Sequence, residues 1–426
     1  MADWYNGDWG HRFKITSDNT KVAAAIKGLT YDLSDAPAGF WSKVKSDGGD
    51  IRVTAANGTT ELARSVVSID TTAETGQVRI DTSGLSTSAD TDIYIYYDND
   101  SATEPAAGST YGSNNAYDSN LVSYWALDEL SGTSAADSVG SNTGTANNAR
   151  VFTNNQGSSG KINTGANFAS GSDQIDFGSR TLSGAITVSQ WVHQLSSGGS
   201  YQATFSHDDN SNNRFVIVLD SNANRYNGYV RVAGTQVVFS VNYVSGNTPI
   251  NTWRMVTQVF DPSTDRAYLY IDGQEVAESA ATLTGSFSST TNTYIGSLSG
   301  SSSYFNGYID ETAVWNRVLS ANEDLTFYNN ESDNSAFWTT GAEEIPAILS
   351  ISGVCTLSGS PISGAVVRII NQDTGEYVED TTTDGNGEYS INVTGGATEY
   401  HVVAEYESEG TKYRSKSRPF QLAKEQ

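Results

Sequence analysis

Short apolar runs of strand length recur along all 426 residues, and Ser, Thr, Asn, Asp and Gly fill the intervals between them. This spacing restricts the chain to many short strands joined by exposed turns, and it is poor material for helices. In Asp92-Ile93-Tyr94-Ile95-Tyr96-Tyr97, aliphatic and aromatic residues alternate, as expected of a strand covered on both faces. Phe215-Val216-Ile217-Val218-Leu219 is a continuous apolar run suited to the middle of a sandwich. Tyr268-Leu269-Tyr270-Ile271 is followed by Asp272-Gly273, then Glu275-Val276. Asp-Gly supplies the positive φ angles of a two-residue hairpin turn, so these residues predict a hairpin. One helix start stands out: Ser320-Ala321-Asn322-Glu323 has the spacing of a capping box. It predicts a helix of about two turns, ended by Asn329 and Asn330. No period of 20–50 residues repeats, which excludes solenoids and propellers.

The 37% apolar content is modest and the mean hydropathy is −0.40, but 8 Trp and 14 Phe provide enough aromatic surface for real cores. Asp and Glu total 49 against 24 Lys and Arg, a formal charge of −25. A field of that sign repels nucleic acid and anionic membranes, so neither is an expected partner. No run of 18 apolar residues occurs, so no membrane insertion is expected. The start, Met1 to Trp9, lacks a basic region, an apolar stretch and a small-residue cleavage site, so it does not read as a signal peptide. Release by lysis within a virion is one route out of the cell for such a chain, and a trimmed secreted protein is another. Cys355 is the only cysteine, which rules out an internal disulfide and reads as a small buried hydrophobe on a strand.

Turn-rich joints divide the chain into residues 1–115, 118–333 and 347–426. The last joint, Ala342-Glu343-Glu344-Ile345-Pro346, is acidic, closed by proline, and reads as a linker. The middle segment resembles a laminin G-like domain of the concanavalin A-like superfamily. The resemblance rests on Tyr124-Trp125-Ala126-Leu127-Asp128-Glu129, Asp137-Ser138-Val139-Gly140-Ser141-Asn142-Thr143-Gly144, Ala185 to Val192, Asn251 to Val256, and Phe305 through Ser320, in family order. The first segment is similar to a β domain of unknown function found before such sandwiches in phage structural and secreted proteins. Its matching residues are Trp9 to Ile15, Asp47 to Val53 and Ile93 to Tyr97. The third, with Ile351 to Val354, Pro361 to Val367 and Thr383 to Tyr389, resembles carboxypeptidase regulatory-like, Ig-like modules. These resemblances imply an all-β chain of three β-sandwich domains, the central one a jelly roll with one short helix near its end. The string of three resembles tailed-phage virion proteins.

Catalysis needs converging groups. Some glycoside hydrolases of the concanavalin A-like fold carry Glu-x-Asp-x-x-Glu on one strand, so that carboxylates share a face. Glu331-Ser332-Asp333 begins that way, but Ser335 and Ala336 follow, and it lies beyond the family's last helix. Asp310 and Glu311 are adjacent and point to opposite faces of a strand. The four histidines are scattered, and His207-Asp208-Asp209-Asn210 reads as a solvated loop tip rather than a metal site. No enzyme is therefore expected, with a glycoside hydrolase as the weaker alternative. The family resemblance implies one structural Ca²⁺, held by Asp137, Asn142 and Asp310. The competing reading has Asp137 organising its own turn. For glycan recognition, rings stack on sugar C–H faces while amides and carboxylates read hydroxyls. Tyr201, Arg225, Tyr226, Tyr229 and Tyr304 are the candidates, placed on loops or between strands. The expected function is a virion structural protein, a tail receptor-binding component or capsid decoration. Its partners would be other virion proteins, further copies of itself and a host-surface glycan. A cellular glycan-binding adhesin, extracellular and stripped of its signal peptide, is the alternative.

Overall fold

The computed structural model describes residues 3–148, 150–153, 160–168, 171–195, 201–220, 223–243, 249–346, 348–372, 375, 377–394 and 400–417. The chain is all-β. Its N-terminal domain has a five-stranded sheet in the order Trp338–Glu344, His11–Ser17, Thr91–Tyr97, Arg52–Ala55 and Glu61–Leu62. A three-stranded sheet, Leu29–Asp32, Thr75–Ile80 and Arg64–Asp70, completes it. Both faces of Thr91–Tyr97 are covered, as its alternation predicts. Ile93, Ile95 and Tyr97 enter the main core, while Tyr94 and Tyr96 pack with Trp9.

The outer strand of the larger sheet corrects the linker reading. Ala342, Glu343 and Glu344 belong to Trp338–Glu344, which pairs with His11–Ser17 from Arg12 opposite Glu344 to Ser17 opposite Trp338. The acidic residues are there to be paired: Arg12 Nε donates to Glu344 at 2.8 Å and Lys43 Nζ to Glu343 at 2.9 Å. Trp338 is buried, and its indole N–H donates to the Thr30 carbonyl at 2.8 Å. The chain therefore leaves the N-terminal domain, builds the central sandwich, and returns to finish the first sheet.

The central sandwich has an eight-stranded sheet, running Thr235–Asn242, Arg225–Val232, Arg214–Asp220, Tyr201–Asp208, Ser288–Ile295, Ile175–Ser183, Gly144–Ala146 and Ser134–Ala135. The facing sheet runs Ala166–Phe168, Gly307–Trp315, Ile186–Gln194, Arg254–Asp261, Arg266–Ile271 and Gln274–Glu278, with Leu121–Trp125 also paired to Gly307–Trp315. Alternation sends Phe215, Ile217 and Leu219 from one sheet, and Val188, Val192, Val256 and Phe260 from the other, into a shared core. The hairpin forms as predicted, with φ of 53° at Asp272 and 72° at Gly273.

The capping box also forms. Ser320 Oγ accepts the Glu323 amide at 3.3 Å and Glu323 Oε2 accepts the Ser320 amide at 2.9 Å. The helix runs Ala321–Ser332, past Asn329 and Asn330, because its last turn is held by the N-terminal domain. The Asn330 side chain bonds both the amide and the carbonyl of Thr30, at 2.8 and 2.9 Å.

On the outside of the sheet that faces the eight-stranded one, Trp191, Met255, Ala313 and Trp315 join Phe327 of that helix and the N-terminal core in one continuous cluster. The N-terminal domain and the helix thus cover the outer face of the sheet that contains Ile186–Gln194. The third domain, a four-stranded sheet over the paired strands Ile348–Val354 and Glu388–Thr394, has a core of its own around Ile351, Val367, Ile369 and Ile391. Cys355 lies just outside a strand and is half-buried, not the fully buried strand residue expected, because the ladder pauses there between Ile348–Val354 and Thr356–Leu357.

Candidate ligand-binding face

A group of buried acids lies at the junction of the first two domains, and its geometry is that of a clamp. Arg79 and Gln77 project from Thr75–Ile80 towards the central sandwich. Arg79 donates to Glu311 at 2.5 Å and to Glu331 at 2.8 Å. Glu331 also accepts the Trp191 indole N–H at 2.7 Å, and Glu311 accepts from the Tyr124 hydroxyl and, at 3.4 Å, from Gln77. All four carboxylate oxygens are met by protein donors. Burial pushes Glu311 up to about 8 and raises Glu331 as well, against the pull of Arg79. Glu311 sits at a bulge in Gly307–Trp315 with φ 50°. Glu331 lies in the helix's last turn, inside the molecule rather than beyond it. The pair binds two domains together instead of flanking a sugar bond. A neighbouring cleft of about 240 Å³, lined by Asp32, Asp35, Lys161 and Asp333 among others, is acidic.

The calcium ligands implied by the resemblance are each engaged by neighbouring protein groups. Asp137 Oδ1 accepts the amides of Tyr124, Val139 and Gly140, at 3.0, 3.1 and 3.0 Å, and Oδ2 accepts that of Asn142 at 3.1 Å. Asn142 turns its side-chain nitrogen to Ser123 Oγ at 2.9 Å. Asp310 instead receives the amides of Lys161 and Ile162 at 2.7 and 3.1 Å. Amide N–H groups aimed at these oxygens occupy the lone pairs a cation would need. Among the described residues no cluster of three or more His, Cys, Asp or Glu is disposed to hold a metal. EDTA is accordingly expected to leave the melting temperature unchanged, and a drop of several degrees, reversed by Ca²⁺, would refute this. His207, read as a loop tip, is a strand residue with no exposed surface; its Nδ1 lies 2.8 Å from Thr293 Oγ1, and burial depresses it to about 4.

Four of the sugar-binding candidates lie in the eight-stranded sheet, and Tyr201 begins the strand Tyr201–Asp208 rather than lying on a loop. Arg225, Tyr226 and Tyr229 lie within the strand Arg225–Val232, not between strands. Alternation then sends Tyr226 inward, fully buried with its ring 4.9 Å from that of Tyr243, where no ligand can touch it. Arg225, Asn227 and Tyr229 face outward. Cross-strand register sets out three rows there: Tyr201, Asp220, Arg225 and Asn242; Ala203, Val218, Asn227 and Ser240; Val216, Tyr229 and Val238. Tyr201 is 43% exposed and Val238 48%. Arg225 pairs with Asp220 at 3.1 Å and Arg214 with Asp208 at 2.6 Å. Tyr304 is half-buried on the loop flanking Tyr201's strand, where the Ser303 carbonyl accepts the Ala203 amide at 2.7 Å.

Tyr201 and Tyr229 belong to the first and third rows and to strands separated by Arg214–Asp220. Strand geometry puts their backbones about 13 Å apart along the strands and about 10 Å across them. Their ring centroids nevertheless approach to 6.5 Å, edge to face at 79°. The rings must therefore lean together over Val218. This roof accounts for the burial of Ala203, Val216 and Val218 on an outward face, where they form a small apolar cluster with Tyr229 and Leu298. Burial, then the neighbouring Tyr201, pushes the Tyr229 hydroxyl up to about 12.

Family models match the three segments in the order implied by the sequence. Residues 47–138 match a domain of unknown function (DUF2341), residues 169–323 the concanavalin A-like lectin/glucanases superfamily, and residues 350–425 the carboxypeptidase regulatory-like domain. No curated protein matches the chain. Among solved structures, domain 4 of AbnA, an extracellular arabinanase from Geobacillus stearothermophilus in complex with arabinotriose, is 19% identical; the match covers 49% of this chain and 98% of that one, with a TM-score of 0.37. The CBM40 of a Ruminococcus gnavus IT-sialidase bound to alpha2,3 sialyllactose is 18% identical over 34% of this chain and 82% of that one, with a TM-score of 0.28. The binding domain of botulinum neurotoxin serotype G is 13% identical over 69% and 75%, with a TM-score of 0.39.

Proposed function

We propose that the central sandwich is a non-catalytic glycan-binding module that meets its ligand on the outward face of the eight-stranded sheet. The observation that carries this reading is the asymmetry of the two sheets. One outer face is buried under the N-terminal domain and a helix. The other presents paired tyrosine rings, an arginine–aspartate pair and side-chain amides on adjoining strands. Rings supply flat apolar contact to sugar C–H groups and the polar groups read hydroxyls. The match of residues 169–323 to a lectin and glucanase superfamily supports the same reading.

The setting belongs to the proposal too: a tailed-phage tail or capsid surface, with other virion proteins and a host glycan as partners. The order of the three domains supports it, and mass spectrometry of purified particles tests it. On a glycan array, Tyr201→Ala and Tyr229→Ala are each expected to weaken binding roughly tenfold or more, about 1.4 kcal/mol per decade. A wild-type protein that binds nothing, or variants that bind as it does, would remove the assignment.

A further inference from the structure

Asn227 is the least explained residue on this face. It has no exposed surface, yet neither its side-chain oxygen nor its nitrogen has a hydrogen-bond partner. Burying an amide unpaired is unfavourable, and native structures rarely tolerate it without a reason. Its position supplies one. Asn227 stands opposite Val218, in the row over which Tyr201 and Tyr229 lean together.

Resting on the glycan-binding reading above, we infer that the Tyr201–Tyr229 roof parts to admit a neutral sugar ring, whose adjacent hydroxyls are read by the Asn227 carboxamide. A carboxamide offers an acceptor and a donor side by side, the complement of two neighbouring hydroxyls that donate and accept in turn. Val218 and the tyrosine rings then cover the sugar's C–H face. The neutral class follows from charge. Arg225 and Arg214 are each tied to an aspartate on the same face, Arg231 beside them donates to the Ser211 carbonyl and to Gln236, and the chain carries −25 overall, a field that disfavours an acidic sugar.

The test is titration calorimetry with the methyl glycosides of glucose, galactose and mannose, their monodeoxy forms and a sialyl glycoside. It compares wild type with Asn227→Val and Tyr201→Ala. Asn227→Val is expected to lose at least tenfold in affinity while its melting temperature holds or rises, since an apolar side chain replaces an unpaired amide. Removing either of the two adjacent hydroxyls from the sugar should cost wild type a similar factor and Asn227→Val little more. Affinity unchanged in Asn227→Val, with binding lost in Tyr201→Ala, overturns this inference and leaves the binding face standing. A fall in melting temperature on Asn227→Val would mark the amide as structural and likewise overturn it. Tighter binding of the sialyl glycoside overturns the neutral class. Binding of no sugar by the wild type removes the face and this inference together.

Discussion

Replacing Arg79 with alanine is expected to destabilise the chain by about 3–5 kcal/mol, because it leaves buried carboxylates without their counter-charge. Arg79 is fully enclosed and serves two glutamates from different elements, Glu311 on a strand and Glu331 on the helix. Its loss removes the ion pairs joining the N-terminal domain to the sandwich at this point. The deficit should depend on pH, and its sign follows from the acids themselves. Burial raises Glu311 to about 8, and Asp128 and Asp324 to about 7. Unfolded, these groups titrate near 4. Folded, they keep their protons to higher pH, so their stabilising contribution is complete below about 4 and is lost as pH rises towards 8. His207, depressed to about 4, opposes this, but three raised acids outweigh one imidazole, so the wild type should melt several degrees higher at pH 5 than at pH 8. Arg79→Ala should show a larger deficit at pH 8, where the glutamates call most on the guanidinium, than at pH 5. Calorimetry at the two pH values decides this. An equal deficit at both would mean that the arginine acts by packing alone.

The strand pattern, the Asp272-Gly273 hairpin, the capping box and the order of three domains were all legible in the chain, because each is written locally in spacing and turn chemistry. What the chain hid was which polar faces are wet. Gln77-Val78-Arg79-Ile80 alternates like a half-solvated strand, but its polar face is buried against the sandwich. Alternation reports two faces without saying what covers the second. The same ambiguity explains Tyr226. An aromatic residue among Asn and Arg reads as exposed until the strand's register turns it inward. Residue type alone proposes Tyr201, Arg225 and Tyr229 for the binding face, whereas Asn227 is distinguished only by its burial and its empty hydrogen bonds. Asp137 and Asp310 invite a metal by residue type alone. Only the structure shows that their oxygens accept backbone amides.

A chain ending at Asp333, the boundary suggested by turn-rich composition, is expected to fold poorly, whereas one ending at Pro346 should keep the first two domains intact. Residues 334–344 contribute Phe337 and Trp338 to the N-terminal core and the whole edge strand Trp338–Glu344. Loss of a buried aromatic costs about 3–5 kcal/mol, so the two together approach the entire stability of an ordinary domain. Without its partner, His11–Ser17 becomes an open edge, a template for pairing between chains. The sandwich cannot be excised cleanly either, since residues 118–333 alone would bare Trp191, Met255 and Trp315. Soluble yield and melting curves of the two truncated chains provide the comparison. If the shorter one melts at the same temperature as the longer, the returning strand is an ornament, and the first two domains are as separable as the sequence suggests.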